Sequence, residues 1–140
     1  MTVQHVRDAM VPEPGTLEVS ATAQAAGERL SDPAVRAVLV CDHGRLVGVV
    51  TRKTLVREVV ATGRDPAATT VGEIAEPPRY TLDAGLSLDD AFRELEVHDL
   101  ERVPVVEDGR LVGILSRTVL QRRLAEDEPP PLEPETQQQV

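Results

Sequence analysis

Arg36–Leu55 reads Arg-Ala-Val-Leu-Val-Cys-Asp-His-Gly-Arg-Leu-Val-Gly-Val-Val-Thr-Arg-Lys-Thr-Leu, and the pattern returns at Glu101–Leu120 as Glu-Arg-Val-Pro-Val-Val-Glu-Asp-Gly-Arg-Leu-Val-Gly-Ile-Leu-Ser-Arg-Thr-Val-Leu. The offset is a constant 65 residues with no gap, and Gly44–Gly48 is identical to Gly109–Gly113. Each copy opens with a short apolar run, Ala37–Cys41 or Val103–Val106, whose length and β-branching suit a buried strand. A polar turn ending in glycine follows, Asp42-His43-Gly44 or Glu107-Asp108-Gly109, which is a hairpin signal. A second strand, Leu46–Val50 or Leu111–Leu115, leads to Thr51 or Ser116, each placed as the N-cap of a helix. The first of these helices is expected to reach about Thr62 and stop at Gly63, with Leu55, Val56, Val59 and Val60 on one face. In the second, Leu120 and Leu124 take that role, and the prolines from Pro129 forbid much continuation. Gly48 and Gly113 fall inside strands, which implies tight packing under a helix or close approach by another backbone or a ligand.

Working outward, Val6–Met10 and Val71–Ala75 stand at the same offset, each a short amphipathic lead-in before prolines. Thr16–Val19 and Thr81-Leu82 are candidate first strands. Ser87 caps a helix with Leu88, Ala91, Phe92 and Leu95 on one stripe, and Asp90 sits where a capping-box acid would. The matching positions in the first copy, Ala23, Ala26, Gly27 and Leu30, bury less side chain, so that helix packs closer or is held more loosely. Each half reads strand, helix, strand, strand, helix, an α/β arrangement. Halves of about 60 residues bury little core alone, so the two should pack on each other with pseudo-twofold symmetry. The expected organisation is a first half at 1–62, a linker at 63–70, a second half at 71–125, and a disordered acidic Pro/Gln-rich tail at 126–140.

The chain has 140 residues, 15 Lys and Arg against 24 Asp and Glu, and a net charge of −9. Without the tail's five acids, 19 acids face 15 bases, a balance near −4. That argues against nucleic-acid binding, which needs a basic surface. One Phe, one Tyr and no Trp leave little for base stacking on single strands. The single Cys41 excludes an intrachain disulfide and is expected as a packed thiol. No apolar run reaches membrane-spanning length, the first ten residues lack a signal-peptide core, and the expected compartment is the cytoplasm. His5, His43 and His98 show no metal-ligand spacing, and no nucleophile or acid–base constellation marks an enzyme.

The doubled pattern, with Val6-x-Asp8-x-Met10, Val103-Pro104-Val105-Val106, Gly44–Gly48 with Thr51, and Gly109–Gly113 with Ser116, closely resembles a tandem pair of CBS domains, the Bateman module. The likeness spans roughly residues 1–125 and points to the small stand-alone members. It implies a regulatory, non-enzymatic module without a bound cofactor or metal, one that commonly dimerises and takes an adenosine-type ligand in two clefts, such as AMP, ADP, ATP or S-adenosylmethionine. Carried over by the resemblance, the ligand-contacting positions are Thr16, Arg36, Ala37, Val38, Thr51, Arg52 and Thr54 in one cleft. In the other they are Tyr80, Thr81, Arg102, Val103, Ser116 and Arg117. The Asp that grips the ribose hydroxyls in the family is Thr54 here in the first copy and Val119 in the second. Losing a charged hydrogen bond costs about 1.5–3 kcal/mol, one to two decades of affinity. The cleft with Thr51, Arg52 and Thr54 is therefore the better placed of the two. The alternative is a ligand-free module with vestigial clefts whose apolar helices form a homodimer or dock a partner protein.

Overall fold

The computed structural model describes residues 4–12 and 15–127. Most of the acidic tail expected from 126 onward lies outside the described residues, as does Pro14. The chain begins with helix α1 (Val6–Ala9) and strand β1 (Val11–Pro12). The first repeat follows as β2 (Thr16–Glu18), α2 (Ala23–Leu30), β3 (Val38–Asp42), β4 (Arg45–Val50) and α3 (Arg52–Leu55), the last continued by a π-helical segment, Val56–Val60. After α4 (Val71–Ile74), the second repeat gives β5 (Leu82–Asp83), α5 (Leu88–Val97), β6 (Arg102–Glu107), β7 (Arg110–Ser116) and α6 (Arg117–Asp127). The strand–helix–strand–strand–helix order of both halves is as the repeat implies.

One mixed sheet of seven strands runs β2-β3-β4-β7-β6-β5, with β1 paired to β7. Its registers repeat at the offset of 65. Leu17 opposes Val40 as Leu82 opposes Val105, and Val40 opposes Gly48 as Val105 opposes Gly113. Both hairpins turn through two residues of positive φ, His43-Gly44 and Asp108-Gly109, the geometry that matches strand twist. The halves join where Arg45 of β4 opposes Arg110 of β7. There the Leu46 N–H donates to the Gly109 carbonyl (3.3 Å) and the Leu111 N–H to the Gly44 carbonyl (3.0 Å). Exchanging the halves converts one bond into the other, which locates the pseudo-dyad between these two strands.

Each repeat's lead-in packs on the other repeat. Val6 and Ala9 of α1 belong to a core with Leu88, Leu95, Leu115 and Leu120 of the second half. Val71 and Ile74 of α4 belong to a core with Val38, Val40, Val50 and Val59 of the first. The backbone bonds repeat accordingly: Val71 N–H to Ala21 O and Val6 N–H to Leu86 O, both 2.8 Å. This exchange accounts for Gly48 and Gly113. A Cβ at Gly48 would lie 2.7 Å from the Ala75 Cβ and 3.0 Å from the Glu76 carbonyl oxygen, and one at Gly113 would lie 2.7 Å from the Val11 carbonyl oxygen. Of the readings open from sequence, close approach by another backbone is the one realised.

Several local expectations change. The π-helical segment, with Ala61 N–H bonding Val56 O (2.8 Å) and Arg64 N–H bonding Val59 O (3.0 Å), turns the expected apolar face. Val59 is buried, but Val56 and Val60 are 59% and 73% exposed. The Asp90 carboxylate accepts from Arg93 (2.9 Å) rather than closing a capping box, although the Ser87 hydroxyl does cap α5. The small residues of α2 let it pack close: a Cβ on Gly27 would meet Leu55 at 3.7 Å. β3 is buried along Val38–Cys41, whereas β6 alternates.

Gly48→Ala should lower stability by about 1–3 kcal/mol, because a fixed carbonyl cannot yield as a side chain would. Urea denaturation is the check. A stability equal to wild type, or above it through reduced unfolded-state entropy, would contradict the assigned backbone contact.

Candidate ligand-binding cleft

A cavity of about 820 Å³ opens beside the pseudo-dyad. Its wall holds Ala37 with Arg102, Leu39 with Pro104, and Val49 with Ile114, each pair separated by 65 residues, so both repeats contribute equivalent positions. Away from the axis the symmetry ends, and the wall is completed by Thr51, Lys53, Thr54 and Arg57 of the first repeat and by 76–80 of the segment after α4.

The floor at that end is one directed hydrogen-bond network. Thr51 caps α3, its Oγ1 accepting from the Thr54 N–H (3.3 Å), while the Thr51 N–H donates to Thr54 Oγ1 (3.0 Å). Thr54 is fully buried, and its Oγ1 lies 2.8 Å from Glu76 Oε2. A carboxylate can only accept, so the Thr54 proton points to Glu76. The Thr51 hydroxyl, 3.0 Å away, then donates to Thr54. Arg57 adds a 2.7 Å bond to the same Oε2. Glu76 is fixed by its backbone, with Val49 N–H to Glu76 O at 2.8 Å and Glu76 N–H to Val49 O at 3.0 Å. Its carboxyl is held below its ordinary value, first by the Thr54 hydrogen bond, against some desolvation, and further by Arg57 and the charge of Lys53.

Five cations, Arg36, Lys53, Arg57, Arg79 and Arg102, line the cavity against two acids, Glu76 and Glu101. This is a local surplus of three positive charges in a chain of net −9. Arg36, Lys53, Arg79 and Arg102 have no side-chain ion pair among the described residues. Tyr80 lines the wall with its ring stacked on His98, centroids 4.4 Å apart.

The structure gathers seven residues that sequence divided between two clefts: Arg36, Ala37, Thr51, Thr54, Tyr80, Arg102 and Val103 face this one cavity. The other six lie elsewhere. Thr16 sits in β2, its carbonyl accepting from Arg29 (3.3 Å). Val38 is buried in the core. Arg52 turns away and donates to the Asp32 carbonyl (2.9 Å). Thr81 borders a smaller cavity with Asp90 and Arg93. Ser116 caps α6 through the Val119 N–H (3.1 Å). Arg117 pairs with Asp99 (3.1 Å) and Glu101 (3.4 Å). Glu76 and Arg57 escaped the sequence reading. The available signal for Glu76 was an acid at the position that Val11 fills in the other copy.

Away from the cavity, Glu18, Asp42 and His43 converge on the first hairpin, all exposed, each offering one ligand atom within 4.8 Å of the others. Their groups already bond one another: the His43 N–H to Glu18 (3.2 Å), and His43 Nδ1 with Asp42 (2.7 Å). Cys41 is buried, and desolvation, then Glu18, push its thiol up. No helix among the described residues is long and apolar enough to cross a membrane.

Comparison with known proteins bears on the family and the fold. A family model described as CBS domain matches residues 6–61 and again 71–126. Hypoxic response protein 1 of Mycobacterium tuberculosis is 35% identical over 106 residues, covering 75% of this chain and 74% of that protein. A crystal structure of Hypoxic Response Protein I with two coordinated zinc ions superposes with a TM-score of 0.71 at 31% identity, over 88% of this chain and 99% of that one. The crystal structure of CBSX2 in complex with AMP gives a TM-score of 0.69 at 28% identity, over 88% and 97%.

Thr54→Val keeps the shape but leaves the Thr51 N–H without its acceptor, and should cost about 1–2 kcal/mol by urea denaturation. Glu76 should then titrate closer to its ordinary value, which a carboxyl-carbon NMR titration reads. The sign follows from the lowered folded-state pKa. Glu76's contribution is present above its unfolded pKa and is lost as pH falls through the folded value. The part of the loss that runs through Glu76 should therefore be largest near neutral pH and fade in acid, while the part from the Thr51 N–H persists at every pH.

Proposed function

The chain belongs to the CBS-domain family as a tandem pair, and from that premise we propose that this regulatory module senses a small adenosine-type ligand in the cleft beside its pseudo-dyad. The observation that carries the reading is the cavity's charge. Four cations without ion-pair partners among the described residues converge on a pocket whose remaining wall is largely apolar, in a protein that is otherwise acidic. Such a pocket suits a ligand with an anionic end and a flat apolar body. Guanidinium groups take phosphate oxygens by charge-assisted bonds, and the apolar residues take the base. The related CBSX2 structure holds AMP. Among the candidate ligands, AMP, ADP and ATP fit this charge better than S-adenosylmethionine, whose sulfonium is positive.

The site also suits a sensor. The ligand would touch residues of both repeats, so its affinity would depend on how they are packed, which is the requirement for a shift between two arrangements. We place one ligand on each chain. Where the first repeat has Thr54 and Glu76, the symmetry-related positions hold Val119 and Val11, which offer no polar side chain.

Val56 and Val60 favour a second reading, in which assembly is the function and the cleft is unused. They stand 59% and 73% exposed one helical turn apart, an apolar stripe suited to a homodimer or a partner protein.

A thermal-shift panel with AMP, ADP, ATP and S-adenosylmethionine separates the readings. At 100 times its Kd a ligand should add about 2.7 kcal/mol. The expected result is stabilisation by the phosphorylated nucleotides, one site per chain by calorimetry, and about tenfold weaker binding in Arg79→Ala. No shift with any of the four at millimolar concentration, together with a dimer by light scattering that Val60→Asp dissociates, would establish the second reading instead.

A further inference from the structure

Glu76 is anchored like a structural residue but presented like a binding one. Its backbone is held by two hydrogen bonds to Val49, and its side chain is 45% exposed into the cavity. Both hydrogen bonds to its carboxylate among the described residues, from Thr54 and Arg57, fall on Oε2. Oε1 has no partner among the described residues. A carboxylate oxygen has only lone pairs to offer, so whatever meets Oε1 from the cavity must bring a donor.

The surrounding charge narrows that donor. Arg57 already neutralises the carboxylate at 2.7 Å, and four further cations line the same cavity without ion-pair partners among the described residues. A cationic ligand would satisfy Glu76 and be repelled by the rest. An anionic ligand with hydroxyl groups a few ångströms from its charge satisfies both, and a ribose 5′-phosphate has that layout. Resting on the adenosine-type reading above, we infer that Glu76 is the hydroxyl acceptor of this cleft and that the cleft therefore selects ribonucleotides over deoxyribonucleotides.

The arrangement is built across the two repeats. Glu76 follows α4, whose Val71 and Ile74 are locked into the first repeat's core, while Thr54 belongs to the first repeat itself. Neither residue alone sets the carboxylate. Thr54 orients it from the buried side, Arg57 holds it from the exposed side, and the Val49 ladder fixes its depth. The positions related by symmetry, Val11 and Val119, cannot reproduce any of this, which makes the second copy an internal control for what the first has acquired.

The test uses the full chain and titration calorimetry with AMP and ATP, each beside its 2′-deoxy and 3′-deoxy forms. Wild type should bind the ribonucleotides at least tenfold more tightly than at least one deoxy form of each, the loss expected for one hydrogen bond to a charged acceptor. Glu76→Gln is isosteric and keeps an oxygen but not the charge. It should weaken ribonucleotide binding about ten- to hundredfold while leaving the weaker deoxynucleotide affinity within about threefold of wild type, so that discrimination collapses. Circular dichroism and the melting temperature establish that the variant is folded. Were it unfolded, the wild-type comparison of sugars would still decide. Equal wild-type affinity for ribo- and deoxyribonucleotides, or undiminished discrimination in folded Glu76→Gln, overturns the assignment of Glu76 while the adenosine-type ligand stands. A wild type that binds none of the six nucleotides at millimolar concentration overturns both.

Discussion

The structure depends on a reciprocal steric fit: a strand glycine in each repeat lies under the lead-in segment of the other. At Gly48 the approaching backbone is Ala75-Glu76, and at Gly113 it is Met10-Val11. Without a Cβ there, each lead-in can hydrogen-bond to the strand and drop its apolar helix into the facing core. Val6 and Val71 are each fully buried in a core that the opposite repeat builds. A half of this size could not cover its own apolar face, and the exchange solves that problem for both halves at once. Direct sheet continuity is short: among the described residues β4 and β7 share one register pair, Arg45 with Arg110, and the two backbone bonds that flank it.

The cleft follows from that exchange. Because α4 is drawn across the dyad, Glu76 just after it pairs with Val49 of the first repeat, and the chain is back against its own repeat by Tyr80, which stacks on His98, so residues 76–80 line the cleft between the two. The scaffold is symmetric in its backbone bonds to within a few tenths of an ångström, yet its side chains are not. Thr54 with Glu76 at one end is replaced by Val119 with Val11 at the other. The two cores diverge too: valine and alanine dominate the first, leucine the second. The duplication keeps the backbone bonds, while side chains differ both in the cores and along the cleft.

Much of the fold was legible because its signals are local and occur twice. Turn glycines, N-cap hydroxyls and strand lengths repeat at one offset, and each copy corroborates the other. Where the copies differ, legibility drops. The helix after Thr51 read as a regular amphipathic face, but the π-helical segment rotated Val56 and Val60 outward, and a 3.6-residue period cannot register that change. The site was half legible. Residues at strand starts and at the first helical turn follow from position in the repeat, and Arg36, Thr51, Thr54 and Arg102 line the candidate cavity. Arg52 lies outside the candidate cavity because its side chain is drawn to the Asp32 carbonyl twenty residues earlier, and Glu76 gave no signal because its partner lies twenty-two residues before it. Pairings of that kind come from tertiary packing and leave no mark in local pattern.

That Thr54 stands at the helix position where the resemblance expects an acid need not mean that the cleft lost its carboxylate. A buried threonine with an unsatisfied hydroxyl would be costly, and here its proton is given to Glu76 while its oxygen accepts from the Thr51 backbone and hydroxyl. The substitution is thus chemically complete only when a carboxylate arrives from the other lead-in. Residues 54 and 76 form a polar unit, whereas Val119 and Val11 at the related positions offer no polar side chain. Changing one member of the polar unit alone would strand a buried donor or leave an acid facing an apolar wall. The asymmetry between the two ends is therefore a paired one, fixed by hydrogen-bond stoichiometry. A carboxylate held by the second repeat's lead-in and oriented by the first repeat's helix also makes the cleft depend on the exchange of lead-ins, so loosening that exchange must alter the site.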